Sequence, residues 1–86
     1  MIDKNKIYLS VVKQIRDVAD WLPSDQIISP NNSLREDLGF DSLAIVKLQI
    51  SLEDNFNFRF DPVNTDFISV FNSIDNLTTF LMGLQV

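Results

Sequence analysis

Apolar residues return along the start of the chain at the spacing of one helical face. Ile7, Val11, Ile15, Val18 and Leu22 follow one another at gaps of 4, 4, 3 and 4, the repeat of an α-helical turn. Tyr8, Val12 and Ala19 widen that face, while Lys4, Lys6, Lys13, Arg16 and Asp17 are left for solvent. The pattern predicts a core helix from about Asn5 to Asp20. Pro23 closes it, because its ring clashes with a continuing helix. A second helix is predicted from Asp41 or Ser42 to about Asn55, both first residues being good N-caps. On it Ile45, Leu48, Leu52 and Phe56 form one stripe, and Leu43, Val46 and Ile50 form another, about 145° round the axis. A surface helix needs one apolar stripe, so the second implies either burial all round or a partner. A last helix is predicted behind Ser73, with Ile74, Leu77, Leu81 and Leu84 at gaps of 3, 4 and 3.

Between the first two helices, Ser24 to Asp41 has no period and gathers Ser, Asn, Asp, Pro and Gly. A loop of this length in a small domain is uncommon and usually functional. Ile27, Ile28, Leu34, Leu38 and Phe40 are expected to pin it to the core. Further on, Phe56, Phe58 and Phe60 alternate with polar residues. An extended connection is expected there, because the chain offers no second strand to pair with it. Asp61-Pro62 reads as a turn, and Asn64 to Phe71 as a short helix with Phe67, Ile68 and Phe71 inward. The many phenylalanines are expected to be packing rather than the lining of a pocket. The predicted fold is all-α, a small three- to four-helix bundle with a long anchored loop between helices 1 and 2.

Composition narrows the function. The 86 residues fit one domain, 1–86, and 45% hydrophobic with 22% charged residues excludes disorder. The chain has no run of about 18 apolar residues, and its start, Met1-Ile2-Asp3-Lys4, lacks the apolar stretch of a secretory leader. A cytosolic, monomeric protein is expected, and the initiating Met1 with a complete bundle points to a free-standing one. There is no Cys and no His, which removes thiolate metal sites, thiol nucleophiles and imidazole bases. We therefore do not expect an enzyme. Asp54-Asn55-Phe56-Asn57 lacks the Gly and final Glu of a calcium loop at their required spacing. A net charge of −5 disfavours nucleic acid.

The remaining chemistry collects at Leu38-Gly39-Phe40-Asp41-Ser42-Leu43. Gly39 permits a backbone conformation closed to other residues. The hydroxyl of Ser42 would stand at a helix N-terminus, where positive potential and free N–H groups favour a phosphate. Taken alone, an Asp-Ser pair is more often an ordinary cap. Here the loop, the glycine, the cap and the second apolar stripe meet at one corner.

This region resembles the acyl carrier protein family. Pro30-Asn31-Asn32-Ser33-Leu34-Arg35-Glu36-Asp37-Leu38-Gly39-Phe40-Asp41-Ser42-Leu43 is similar to the stretch leading into that family's attachment serine. Leu48, Leu52, Glu53 and Phe56 resemble its second helix, and Ser73-Ile74-Asp75-Asn76-Leu77-Thr78-Thr79-Phe80-Leu81 its last. The resemblance implies that a phosphopantetheinyl transferase attaches 4′-phosphopantetheine from coenzyme A to Ser42, and that the arm's thiol carries an acyl group as a thioester. It also implies a partner face made of Leu43, Val46, Lys47 and Ile50, with Glu36, Asp37 and Asp41 as acidic contacts. The partners implied are the transferase, an acyl- or aminoacyl-loading ligase and downstream synthase or transferase enzymes.

One departure bears on the pathway. Primary fatty acid carriers show a strongly acidic second helix, whereas Ser42 to Phe56 holds only Glu53 and Asp54 against Lys47, with Ala44, Lys47 and Gln49 expected at its exposed positions. A specialised acyl carrier of a polyketide, secondary or modified fatty acid pathway is expected. Asp41 before the serine favours an acyl over an aminoacyl or peptidyl carrier, which more often has His there. The reading from another class is an unmodified helical interaction module using Leu43, Val46 and Ile50. A hydrolase built on Ser42 and Asp41 has no base to activate the hydroxyl.

Overall fold

Local signals start each helix. A computed structural model describes residues 3–85, and the side chains of 3–84; Met1, Ile2 and Val86, included in the one-domain expectation, lie outside the described residues. Helix α1 spans Lys4–Val18, begun by Asp3, whose carboxylate accepts the Asn5 amide. Helix α2 spans Ser42–Phe56 and ends on Asn57 in the left-handed conformation, its amide donating to the Glu53 carbonyl, an αL cap with Asn where Gly is commoner. The single turn α3, Phe67–Val70, is capped by Asp66. Helix α4 spans Ile74–Gln85, with the Ser73 hydroxyl accepting the Asn76 amide. The four helices overlap the predicted segments, α1 ending at Val18 rather than about Asp20 and α3 filling only Phe67–Val70 of the expected Asn64 to Phe71. No strand occurs among the described residues.

The core joins Ile7, Val11 and Ile15 of α1, Ile45, Leu48 and Leu52 of α2, and Ile74, Leu77 and Leu81 of α4. Helix α1 packs on both α2 and α4, and α3 closes over α4. Under α3 the Phe60 ring lies 4.8 Å from Phe58, 5.7 Å from Phe67, 5.6 Å from Phe71 and 5.6 Å from Phe80, stacked on the last. The rings pack on one another, as expected, although Phe67 and Phe71 also wall a cleft. A polar seam crosses the α1–α2 interface: Ser51 donates to the side-chain amide oxygen of the buried Gln14, and Asn55 donates to the Ser10 hydroxyl.

Four side chains on the helices depart most clearly from the pattern, and the loop adds Ile27. Ile68 was expected inward and is 88% exposed. On one turn, Phe67 and Phe71 share a face four residues apart, and Ile68 points about 100° away. Leu84 is exposed, past the last buried turn of α4 at Leu81. Ala44 was assigned to the outside of α2 and is buried; four residues ahead of Leu48, it joins the edge of the inner stripe. Arg16, assigned to solvent, is half-buried and donates to the Gln26 carbonyl.

Candidate functional site

The long loop is strapped to the bundle through its backbone. The carbonyls of Gln26, Ile28, Pro30 and Asn32 accept in turn from the Arg16 guanidinium, the Tyr8 hydroxyl at 3.0 Å, the Asp75 amide at 2.9 Å and the Ile74 amide at 3.2 Å. Over 26–29 the chain is extended and alternate carbonyls face the same way, so those of Gln26 and Ile28 both meet α1. A turn at Ser29–Asn32, closed by the Asn32 amide on the Ser29 carbonyl at 3.0 Å, then brings Pro30 and Asn32 to the start of α4. The last two bonds also satisfy amides that the first turn of α4 leaves without intrahelical partners. The alternation explains Ile27, expected as an anchor and found 83% exposed: with Ile28 half-buried against the core, its neighbour must point away.

Behind the strap the chain makes one tight turn. Ser33 and Asp37 hold each other, the Ser33 amide donating to Asp37 Oδ2 at 2.6 Å, while the Ser33 hydroxyl accepts the Glu36 amide at 3.2 Å. Leu34, Leu38 and Phe40 are buried, and the Phe40 amide returns to the Leu34 carbonyl at 2.9 Å. Gly39 between them has φ +73°, a conformation costly for a residue with a Cβ. Asp41 then caps α2, its Oδ1 accepting the Ala44 amide at 2.8 Å.

Ser42 is the first residue of α2, and it is exposed. The capping carboxylate belongs to Asp41, so the Ser42 hydroxyl is not the N-cap group. A first-turn serine beside a capping aspartate presents its oxygen at the positive end of the helix, where the first amides have no intrahelical acceptor. Such an oxygen is chemically suited to carrying a phosphodiester.

The family model for the phosphopantetheine attachment site matches residues 10–81, from within α1 to within α4. The chain belongs to this family. It is an acyl carrier protein family member, a non-catalytic carrier bearing covalent 4′-phosphopantetheine. A comparison with curated proteins finds no match.

The residues present fit that group. The carrier offers an exposed hydroxyl at the start of a 15-residue helix, held in place by a capped turn and a strapped loop. Around it the expected partner residues are brought together. Leu43, Val46 and Ile50 are 64%, 48% and 58% exposed on one face of α2, and Lys47 is exposed among them. Glu36, Asp37 and Asp41 are exposed at the loop end, although Asp37 and Asp41 also hold backbone amides. A cleft of about 210 Å³ opens beside the site between the loop and α3, with Ile45, Phe67 and Phe71 among its walls. Among the described residues no cluster of three or more acidic groups could hold a metal ion, and no helix is long and apolar enough to cross a membrane.

The sequence reading missed Trp21. Its indole Nε1 donates to the Leu38 carbonyl at 2.9 Å, and its ring meets Phe40 edge-on at 5.2 Å. A tryptophan just past the end of a helix, facing a loop rich in carbonyls, was the available signal, because an indole N–H in a partly apolar setting takes a partner.

Proposed function

We propose that Ser42 is the residue that carries 4′-phosphopantetheine, transferred from coenzyme A by a phosphopantetheinyl transferase. The observation that carries this reading is the division of labour at the start of α2: Asp41 does the capping, and the exposed Ser42 hydroxyl is left for the phosphodiester. When attached, the arm supplies a thiol on which an acyl group is held as a thioester. The chain's own residues hold the serine at the helix end and offer a docking face beside it. Tethering raises the effective concentration of cargo at each enzyme that docks.

The docking face is Leu43, Val46, Lys47 and Ile50, with Glu36, Asp37 and Asp41 at its rim. Its support is three exposed apolar residues on a helix whose other side is buried. The cargo is an acyl group of a specialised pathway, polyketide, secondary or modified fatty acid. Lys47 stands in the middle of the apolar patch, and acid returns only at Glu53 and Asp54. Rim charges set encounter rate and partner choice, and this pattern suits partners other than those matched to an acidic helix. The chain works as one domain: its radius of gyration of 12.1 Å agrees with about 12 Å for a folded domain of this length.

Intact mass before and after incubation with coenzyme A and a broad-specificity phosphopantetheinyl transferase tests the reading, with Ser42→Ala alongside. The wild type is expected to gain one phosphopantetheinyl group and the variant none. A gain on the variant moves the site away from Ser42. No gain on the folded wild type, with the transferase active on a control carrier, removes the proposal for that enzyme.

A further inference from the structure

Gly39 is the freest backbone position between the strapped loop and Ser42, and the structure holds it from both sides. On its C-terminal side, the Phe40 amide is tied to the Leu34 carbonyl at 2.9 Å and the Phe40 ring is buried. On its N-terminal side, the Leu38 carbonyl is tied to the Trp21 indole at 2.9 Å. Trp21 comes from the turn after α1, where the Leu22 amide donates to Ala19, and Ala19 is buried. The indole therefore stands on the rigid end of a core helix. Glycine reaches φ +73° at little steric cost, but it reaches many other conformations as readily. A single donor on the preceding peptide removes much of that freedom.

We propose that Trp21 is a positioning residue for modification of Ser42, acting through its N–H on the Leu38 carbonyl; this rests on the reading of Ser42 as the attachment residue. The path is short and covalent. Trp21 holds peptide 38–39, Gly39 is set in its left-handed conformation, Phe40 seats in the core, and Asp41 and Ser42 start α2. Trp21 is itself 46% exposed, so without its N–H the Leu38 carbonyl exchanges the indole bond for one to water, and Gly39 samples conformations in which the serine is presented differently. A transferase that binds only the presented form meets a reduced fraction of it, and apparent affinity falls in proportion to that fraction. Once bound, the serine is in place and turnover is unaffected.

The test is steady-state phosphopantetheinyl transfer on Trp21→Phe, which keeps an aromatic ring to face Phe40 and removes the donor together with the five-membered ring that bears it. Leu81→Val, a core change on α4, serves as a control for lowered stability. All variants are assayed well below their melting temperatures, with folding checked by circular dichroism. The expected result is a KM for the carrier raised roughly three- to tenfold in Trp21→Phe, as for a competent fraction cut by that factor, with kcat within about twofold of wild type, while Leu81→Val moves neither constant. Amide hydrogen exchange should quicken at residues 39–43 in Trp21→Phe alone. A folded Trp21→Phe with wild-type KM overturns the positioning role and leaves the Ser42 reading standing. An equal rise of KM in Leu81→Val overturns it too, because the effect would then be one of stability. A wild-type chain that accepts no group overturns the Ser42 reading and this role with it.

Discussion

The carboxylate of Asp41 accepts the backbone amide of Ala44 at 2.8 Å, and this bond separates two duties that a serine at the same corner would otherwise combine. Asp41 begins the helix, and Ser42 stands exposed inside its first turn. Replacing Asp41 by Ala should lower stability by about 1 kcal/mol, the usual worth of an N-cap. Asp41→Asn keeps an accepting oxygen and should recover most of it. Urea denaturation of the two variants measures the difference.

Gly39 is a case where backbone and space can be told apart. A Cβ there would sit 3.5 Å from the Trp21 indole nitrogen, an ordinary contact, so there is room for it. The left-handed φ remains. Gly39→Ala should therefore cost about 1–2 kcal/mol from backbone strain alone. If thermal melting shows no loss, the loop has another conformation of equal energy.

The two stripes of α2 should answer differently to truncation. Leu48 is fully buried, and Leu48→Ala should cost about 2–5 kcal/mol by loss of transfer energy and the cavity left behind. Val46 is exposed, and Val46→Ala should change stability by less than about 0.5 kcal/mol. Val46→Asp, equally harmless to folding, should slow loading by the transferase if the proposed docking face is used, because it puts a charge in the middle of that apolar face. Equilibrium unfolding and transfer kinetics on the same samples check both halves.

Asp61 gives a pH prediction. The Asn64 side chain, then the amides of Val63 and Asn64, donate to its carboxylate and hold its pKa below the ordinary value. A depressed folded pKa stabilises the fold above the ordinary carboxylate range, and that contribution is lost as the pH falls through the lowered value. The turn before α3 should therefore hold through mild acid and loosen only below it. Asn64→Ala removes the largest cause, so the Asp61 midpoint, followed by NMR titration, should move up toward the ordinary value.

The helices were legible in the sequence because their signals are local. Gaps of three and four residues, Asp41 and Ser73 at helix starts and Pro23 after one operate within a turn or two of backbone. The corner at Gly39-Phe40-Asp41-Ser42 was legible for the same reason. So was the outward stripe of Leu43, Val46 and Ile50, since an apolar face opposite a filled one has few places to go. What the tertiary structure alone decided is how the irregular chain lies on the helices. Ile27 and Ile28 look alike in sequence, and only the row of carbonyls held by Arg16, Tyr8 and the start of α4 determines which of them turns inward. Arg16 sits at a polar position of α1 and becomes a loop anchor because an unpaired carbonyl lies within its reach. Trp21 and Leu38 are 17 residues apart, joined by a contact that no period encodes. Periodicity measures which side of an element is apolar; the partner of a hydrogen bond across a loop depends on where two elements meet in space.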